Sequence, residues 1–205
     1  MRIHALIPVK GLADAKSRLT PPFSGDERAA LMLAMLRHVV AAAQDSGVLT
    51  RITVVSPDTA VLDYAEALGV AALRQRTVGL NPALDEARAD ARMHGADAVL
   101  ALHADLPRLD PADIATMVDR LPPPPAVVLA PDYTGSGTNA LLIAPPDALP
   151  FLFGPDSFAR HLAAAEQRTL PSAIAHVSGI AGDVDTPDDV RERVDSMQWA
   201  VGSGQ

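Results

Sequence analysis

Three cations follow the first apolar run of the sequence and together could bind an anion. Lys10, Lys16 and Arg18 come after residues 3–7, a run of strand length, and Asp14 is the only acidic residue among them. In an open parallel α/β sheet, the loop after a strand lies at the carboxyl edge, where ligands bind. The spacing therefore predicts a site for an anionic ligand, with phosphate as the first candidate.

Asp105 is an acidic residue placed to complement those cations. It follows the apolar run 98–102, which is typical of a buried strand. A carboxylate beside phosphates is suited to Mg²⁺, which takes one or two protein carboxylates together with phosphate oxygens. The alternative is an aspartate that caps a helix or lies in a loop, and the sequence alone favours neither interpretation.

A second acidic turn contains Asp183 and Asp185, immediately before Thr186 and Pro187. Helix capping is the stronger interpretation of this turn taken alone, because a capping residue followed by proline is typical of a helix start. Together with Asp105, the turn supports the hypothesis of a metal site.

Two loops of small residues are candidates for a second anion site. One contains Gly137, Thr138 and Asn139, and the other contains Gly154 and Ser157. Glycines let backbone N–H groups approach an anion, and a helix that starts after Ser157 adds a positive dipole end. A hairpin turn and a simple helix start are the alternatives. The Walker A and GxGxxG patterns are both absent from the sequence.

The composition excludes several classes of protein. The 205 residues carry a formal charge of −8 and are 3% aromatic, which argues against a nucleic-acid partner. With no cysteine, disulfides and thiolate chemistry are excluded. No apolar stretch approaches the length of a membrane span, and no secretion signal is visible, so we expect a cytoplasmic protein without a membrane partner.

Apolar runs alternate with helical patterns along the chain, which predicts a mainly parallel α/β sheet. Residues 1–200 are predicted to form a single domain, followed by a flexible tail at 201–205. Asn81 is the predicted N-cap of a helix whose first turn contains Pro82. Strands are predicted at 2–7, 51–55, 70–73, 98–102, 126–130, 140–143 and 173–177, and helices are predicted to begin near 26, 58, 81, 110, 158 and 187.

Taken in order, these motifs resemble one family over residues 3–190. The sequence is similar to the guanylyltransferases of deazaflavin coenzyme (F-420) biosynthesis, within the nucleotidyltransferase superfamily. The motifs that carry the resemblance are Pro8-Val9-Lys10, Ala15-Lys16-Ser17-Arg18-Leu19, Gly79-Leu80-Asn81, His103-Ala104-Asp105-Leu106-Pro107, Gly135-Ser136-Gly137-Thr138-Asn139, Gly154-Pro155-Asp156-Ser157 and Asp183-Val184-Asp185-Thr186-Pro187.

The resemblance implies a fold and a reaction. The fold would be a three-layer, Rossmann-like α/β domain of the nucleotide-diphospho-sugar-transferase type. The reaction would move GMP from GTP to a small three-carbon phosphorylated acid and release pyrophosphate, with Mg²⁺ as the cofactor. The candidate acids are phosphoenolpyruvate, 2-phospho-L-lactate and 3-phosphoglycerate. The alanine-rich, bacterial-looking composition, and not the resemblance, makes phosphoenolpyruvate the marginal favourite.

The resemblance also implies roles for individual residues. Catalytic roles fall to Lys10, Lys16, Arg18 and Asp105. The nucleotide would contact Pro8, Lys10, Lys16, Arg18, Gly79, Leu80 and Asn81. The acceptor would contact Gly137, Thr138, Asn139, Gly154 and Ser157. The metal would be held by Asp105 and Asp185, with Asp183 as the less certain ligand.

The sequence departs from the superfamily in one respect, and it leaves two rival functions open. Better-known members wrap the phosphates in a glycine-rich loop, whereas only Gly11 stands here, so side-chain cations must do more of the work. The rivals are a nucleotidyltransferase for a molybdopterin or a sugar phosphate and a non-catalytic GTP-binding regulatory domain. A homodimer is the default expectation for such an enzyme.

Overall fold

Seven strands form one sheet in the order β3-β2-β1-β4-β6-β5-β7. The structure is a computed structural model that describes residues 1–13, 16, 19–20 and 22–194. The predicted phosphate ligand Arg18 and the predicted tail at 201–205 lie outside the described residues. The strands are β1 (Ile3–Pro8), β2 (Arg51–Ser56), β3 (Ala71–Arg74), β4 (Ala98–Leu102), β5 (Ala126–Pro131), β6 (Thr138–Ala144) and β7 (Ser172–Ile174).

Strand β6 runs against the direction of the other strands. Parallel pairs join β3, β2, β1 and β4, while β6 pairs antiparallel with both β4 and β5. Strand β7 then pairs parallel with β5. The amino end of β6 therefore lies at the same edge of the sheet as the carboxyl ends of β1 and β4.

Helices cover both faces of the sheet and give three layers. One apolar cluster includes residues of α1, α2 and α4, and the other includes residues of α3 and α5. The helices are α1 (Gly25–Asp45), α2 (Thr59–Ala67), α3 (Leu80–Met93), α4 (Pro111–Asp119), α5 (Ser157–Gln167), α6 (Ser178–Ala181) and α7 (Pro187–Arg193).

The central strands are apolar on both faces because each face is covered by helices. All five residues of β4 are buried, and so are the first five of β1. On α3, the small residues Ala83, Ala87 and Ala91 recur every fourth position and are buried against the sheet. Their size lets the helix backbone approach the sheet closely, which positions the residues at the start of α3 beside the carboxyl edge.

Several predicted helix starts are confirmed, and one is wrong. Asp58 caps α2, Asp110 caps α4, and Thr186 caps α7 ahead of Pro187. The predicted cap Asn81 instead lies inside the first turn of α3, and Gly79 is the N-cap. Gly79 has φ +113°, a backbone conformation that favours glycine, and the Asn81 amide bonds elsewhere.

Two elements near the carboxyl end also differ from the predictions. Strand β7 ends at Ile174 rather than at Val177, and a four-residue helix, α6, begins at Ser178. Strand β7 lies at the edge of the sheet and pairs with β5 over three residues, so few hydrogen bonds are available to lengthen the strand. Within the described part of the chain, no helix is long and apolar enough to cross a membrane.

Candidate active site

A cleft of about 570 Å³ opens at the carboxyl edge of the sheet. It lies where the strand order reverses around β1 and β4, the position at which open α/β sheets bind ligands. The loops after β1, β3 and β4 contribute most of its wall. The lining residues are Pro8, Val9, Lys10, Gly11, Lys16, Met32, Pro57, Gln75, Arg76, Thr77, Val78, Gly79, Leu80, Ala83, His103, Ala104, Asp105 and Asp185.

The Lys16 ammonium lies between the two predicted metal carboxylates. Its Nζ donates to Asp105 Oδ2 and to the Val184 carbonyl oxygen, and it is 3.5 Å from Asp185 Oδ1. The Lys16 side chain is 7% exposed. Two carboxylates and a carbonyl oxygen thus converge on one cation, which is the arrangement that a hard metal ion would also require.

Burial and charge oppose each other in this cluster. Burial disfavours the charged forms of both Lys16 and Asp105, but each stabilises the other as an ion. The net result raises the pKa of Lys16 and lowers the pKa of Asp105. At Asp183, burial and the nearby Asp105 carboxylate raise the pKa, even though the Asn139 amide bonds to it. The third carboxylate is therefore close enough to interact with the other two.

The acidic turn is held in place by the helix that follows it. The Asp189 carboxylate accepts hydrogen bonds from the Asp185 and Thr186 N–H groups, at 3.0 and 2.7 Å, and from the Thr186 hydroxyl. Arg193 bonds both to Asp189 and to the Asp183 carbonyl oxygen. The backbone of the turn that carries Asp183 and Asp185 is therefore held by the capping of α7.

The opposite wall of the cleft, residues 75–79, is fixed by two polar side chains. The Glu86 carboxylate accepts hydrogen bonds from the N–H groups of Arg76 and Thr77, at 2.9 and 2.8 Å, and from the Thr77 hydroxyl. The Gln75 amide donates to the carbonyl oxygens of Thr77 and Gly79. Val78 projects from this wall and is 97% exposed.

The two small-residue loops meet beside the cleft. The Thr138 N–H donates to the Ser157 hydroxyl at 2.9 Å, and the Thr138 hydroxyl contacts His161 Nδ1 at 3.0 Å. Leu152 N–H donates to His161 Nε2, so Nε2 is unprotonated and Nδ1 carries the proton. Ser157 is 2% exposed, so its hydroxyl is committed within the protein.

The structure separates the sequence-predicted site residues into two groups. Pro8, Lys10, Lys16, Gly79 and Leu80 line the cleft with Asp105 and Asp185. The other predicted residues that the structure describes are not part of this lining. The residues outside the cleft lining are Asn81, Gly137, Thr138, Asn139, Gly154, Ser157 and Asp183.

Sequence reasoning assigned no role to several residues that shape this site. Gln75 and Glu86 fix the wall, and His161 joins the two small-residue loops. His103 lines the cleft next to Asp105, and its ring lies 5.4 Å from that of Phe153. Position within or next to a predicted motif was the available signal for His103 and Phe153, whereas the contacts of Glu86 and His161 cross between different elements and follow no motif spacing.

The chain matches the model of one protein family over residues 3–195, and that family is described as "Guanylyl transferase CofC like". The chain belongs to this guanylyltransferase family. The match confirms the resemblance seen in the sequence.

Curated relatives of the guanylyltransferase cover nearly the whole chain. The phosphoenolpyruvate guanylyltransferase of Rubrobacter xylanophilus is 49% identical over 190 residues, covering 93% of this chain and 92% of that protein. The 3-phospho-D-glycerate guanylyltransferase of Colwellia psychrerythraea is 32% identical over 190 residues, covering 93% and 90%. Relatives with two different named acceptors therefore align over the same region.

Solved structures confirm the α/β fold of the guanylyltransferase. A Desulfovibrio desulfuricans protein assigned to the nucleotide-diphospho-sugar transferases has a TM-score of 0.73 at 17% identity, covering 98% of this chain and 90% of that one. A CMP:2-keto-3-deoxy-manno-octonic acid synthetase complexed with CTP has a TM-score of 0.66 at 14% identity, covering 96% and 98%. At these identities the similarity shows the fold alone.

Removal of the Lys16 ammonium should strengthen binding of a divalent cation to the nucleotide-free protein. In Lys16→Met, Asp105 and Asp185 lose their shared cation, so we expect Mn²⁺ to bind about tenfold more tightly or better. Mn²⁺ titration followed by electron paramagnetic resonance measures the change. Lys10→Met is the matched control, because Lys10 lines the same cleft and contacts neither carboxylate in the described structure. An equal affinity in Lys16→Met and the wild type would contradict the expectation.

Acid should destabilise the fold through His161. Burial, with a smaller effect of Arg160, lowers the pKa of His161 to about 4 from 6.5. Because the unfolded state binds the proton more tightly, the stability from neutral His161 is present above pH 6.5 and is lost as pH falls toward 4. Between pH 7 and 5 we expect a loss of about 2 kcal/mol, measured by urea unfolding.

The control for this pH effect is His161→Gln, whose side-chain oxygen can still accept from Leu152 N–H and which does not titrate. It should be less stable than the wild type at pH 7 but should lack the extra loss at pH 5. A parallel pH dependence in the two proteins would show that His161 is not the group responsible.

Proposed function

We propose that this guanylyltransferase moves GMP from GTP to phosphoenolpyruvate and releases pyrophosphate, in a step of coenzyme F-420 biosynthesis. The observation that carries the proposal is the convergence of Lys16, Asp105 and Asp185 in a cleft lined also by Lys10. The named acceptor of the 49% identical relative supports phosphoenolpyruvate as the acid.

The reaction requires no nucleophile from the protein. A phosphate oxygen of the acceptor attacks the α-phosphorus of GTP, a new P–O bond forms, and the bond to the β-phosphate oxygen breaks. Because both reactants are anionic, positioning and neutralisation of charge supply most of the rate enhancement. Lys10, at the mouth of the cleft, and Lys16, at its acidic end, are the cations that hold the polyphosphate.

Lys16 has two roles in this scheme. Without ligands, its ammonium stabilises Asp105 and Asp185 against their mutual repulsion. When GTP enters the cleft, the same ammonium can pair with the phosphates instead of the carboxylates. The Asp105 carboxylate, whose side chain is only 20% exposed, would then require another cation, since moving Lys16 away from a largely buried charge is costly.

The donor set at this point fits a divalent metal, and we assign Mg²⁺ as that cation. Among the described residues, no group of three His, Cys, Asp or Glu side chains by itself has the arrangement of a metal site. The oxygens that already converge on Lys16 come from Asp105, Asp185 and the Val184 carbonyl. Phosphate oxygens would complete such a set, and the bound ion would supply charge neutralisation at the polyphosphate.

The acceptor is assigned to the side of the site formed by the two small-residue loops. Gly154 is exposed with φ +123°, next to the buried Thr138–Ser157 contact. Because the Ser157 hydroxyl accepts from Thr138, the exposed backbone near Gly154 is the better candidate for contact with the acceptor phosphate.

A pyrophosphate-release assay with the purified full chain tests the function. It combines GTP and Mg²⁺ with phosphoenolpyruvate, 2-phospho-L-lactate or 3-phosphoglycerate, and replaces GTP by ATP or CTP as controls. The proposal requires the highest kcat/KM with GTP and phosphoenolpyruvate. A preference for 3-phosphoglycerate would contradict the proposed acceptor and would give this chain the acceptor named for its 32% identical relative. GTP binding without pyrophosphate release from any acid would support a regulatory domain instead.

Asp105→Asn should fold normally and lose pyrophosphate release by about 100-fold or more, because one charge of the metal and lysine site is removed. The rate is measured with GTP and the preferred acid, and circular dichroism melting checks the fold. Asp188→Asn is the control, since its side chain is 80% exposed and pairs with Arg191 on the same turn of α7. Near-normal turnover of Asp105→Asn would remove Asp105 from the proposed role.

A further inference from the structure

Asn81 stands at the start of α3, next to two residues that line the nucleotide side of the cleft. Gly79 and Leu80 belong to that lining, but Asn81 does not. Its side chain turns to a distant part of the chain: Nδ2 donates to the Phe153 carbonyl oxygen at 3.1 Å, and Oδ1 accepts from Phe153 N–H at 2.9 Å. The nitrogen and the oxygen of the Asn81 side-chain amide therefore both form hydrogen bonds to the backbone of Phe153.

Phe153 is where three parts of the site meet. Its ring lies 5.4 Å from the ring of His103, which precedes Asp105 by two residues, and 5.0 Å from the ring of His161, in an edge-on contact. It is 5% exposed, and the next residue is the exposed Gly154. The position of Phe153 therefore determines where the loop at Gly154 begins.

The rest of that loop is held by other side chains. His161 accepts from Leu152 N–H at 2.9 Å, and Ser157 accepts from Thr138 N–H. Asn81 is the attachment on the opposite side, from the helix that begins at the nucleotide wall. The residues 152–157, which we call the acceptor loop, are thus fixed at both ends, and one of these attachments comes from the nucleotide side.

We propose that Asn81 is a positioning residue for the acceptor rather than a ligand of the nucleotide. The inference rests on the proposed function, because it takes the acceptor loop as the place where the phosphorylated acid binds. A primary amide can bond the N–H and the C=O of the same residue, since it carries a donor and an acceptor side by side. Asn81 uses this property to set Phe153, and through it Gly154, at a fixed position relative to the nucleotide wall.

The two roles of Asn81 differ in the substrate whose binding would suffer. If Asn81 bound the nucleotide directly, its replacement would raise the KM for GTP. A residue that positions the acceptor loop would affect the KM for the acid and leave the nucleotide wall, which Gln75 and Glu86 hold independently, unchanged. Which of these two KM values changes in an Asn81 variant therefore distinguishes the two roles of Asn81.

Asn81→Ala and Asn81→Asp test the proposal in the full chain. Aspartate keeps the acceptor for Phe153 N–H but places a carboxylate against the Phe153 carbonyl oxygen, so it should not replace asparagine. We expect both variants to raise the KM for phosphoenolpyruvate about tenfold, from the loss of a partly buried pair of hydrogen bonds. The KM for GTP should stay within about twofold of the wild type. The control is Asp85→Asn, on the exposed side of α3.

Hydrogen–deuterium exchange gives a readout that needs no turnover. In Asn81→Ala, the peptide that covers residues 152–157 should exchange faster, while the peptide that covers 76–80 should exchange as in the wild type. A rise in the KM for GTP alone, or unchanged protection of residues 152–157, would overturn the proposal. Faster exchange together with a rise confined to the KM for the acid would support it.

The wild-type protein distinguishes a failure of this proposal from a failure of the proposed function. Its turnover with phosphoenolpyruvate decides the function, whereas the ratio of each variant to the wild type decides the role of Asn81. If the wild type prefers another of the three acids, the same KM comparison applies to that acid. If it releases no pyrophosphate with any acid, the assignment of the acceptor fails, and the proposed role of Asn81 is overturned with it.

Discussion

The reversed direction of β6 is the constraint on which the site depends. A fully parallel sheet would place the start of this strand at the opposite edge, away from the loops after β1 and β4. Because β6 pairs antiparallel with β4, Asn139, the second residue of β6, lies beside His103, and its side-chain amide donates to Asp183 at 3.2 Å. The acidic turn, the loop after β4 and the small-residue loops thereby meet at one edge.

Charge balance imposes a second constraint at that edge. The protein carries a formal charge of −8, yet its proposed substrates are also anions. Attraction must therefore come from local cations and not from the overall charge. Lys16 provides such a cation and at the same time pairs with the carboxylates that we propose as metal ligands, so one side chain would serve both the free site and the loaded one.

The features best predicted from the sequence are those that depend on local patterns, namely strand positions and helix caps. The buried run of β4 fixed the place of Asp105, and the caps at Asp58, Asp110 and Thr186 were visible because capping involves residues three positions apart or fewer. The antiparallel hairpin of β5 and β6 was not distinguished from a parallel arrangement. Pairing between strands depends on contacts across the sheet that periodicity does not record.

The predictions for Asn81 and Ser157 show why the finer features of the site were out of reach. Each residue lies in a motif of the expected kind, but its polar atoms are used by a partner 72 or 19 residues away. A spacing rule identifies which residues gather at an edge. It does not identify which of them face the ligand and which hold the others in place, because that depends on packing between distant segments.

The lining of the cleft also constrains how a base could be selected there. The described lining residues include no Phe, Tyr or Trp, and the side that we propose for the nucleotide presents Pro8, Val78 and Leu80. A purine on such a surface would rest on aliphatic carbon and gain little from stacking between rings. Selection of guanine over adenine would then fall to the hydrogen-bonding edge of the base, where the two purines exchange donors for acceptors, and to the backbone groups of residues 75–79, which Gln75 and Glu86 hold in place.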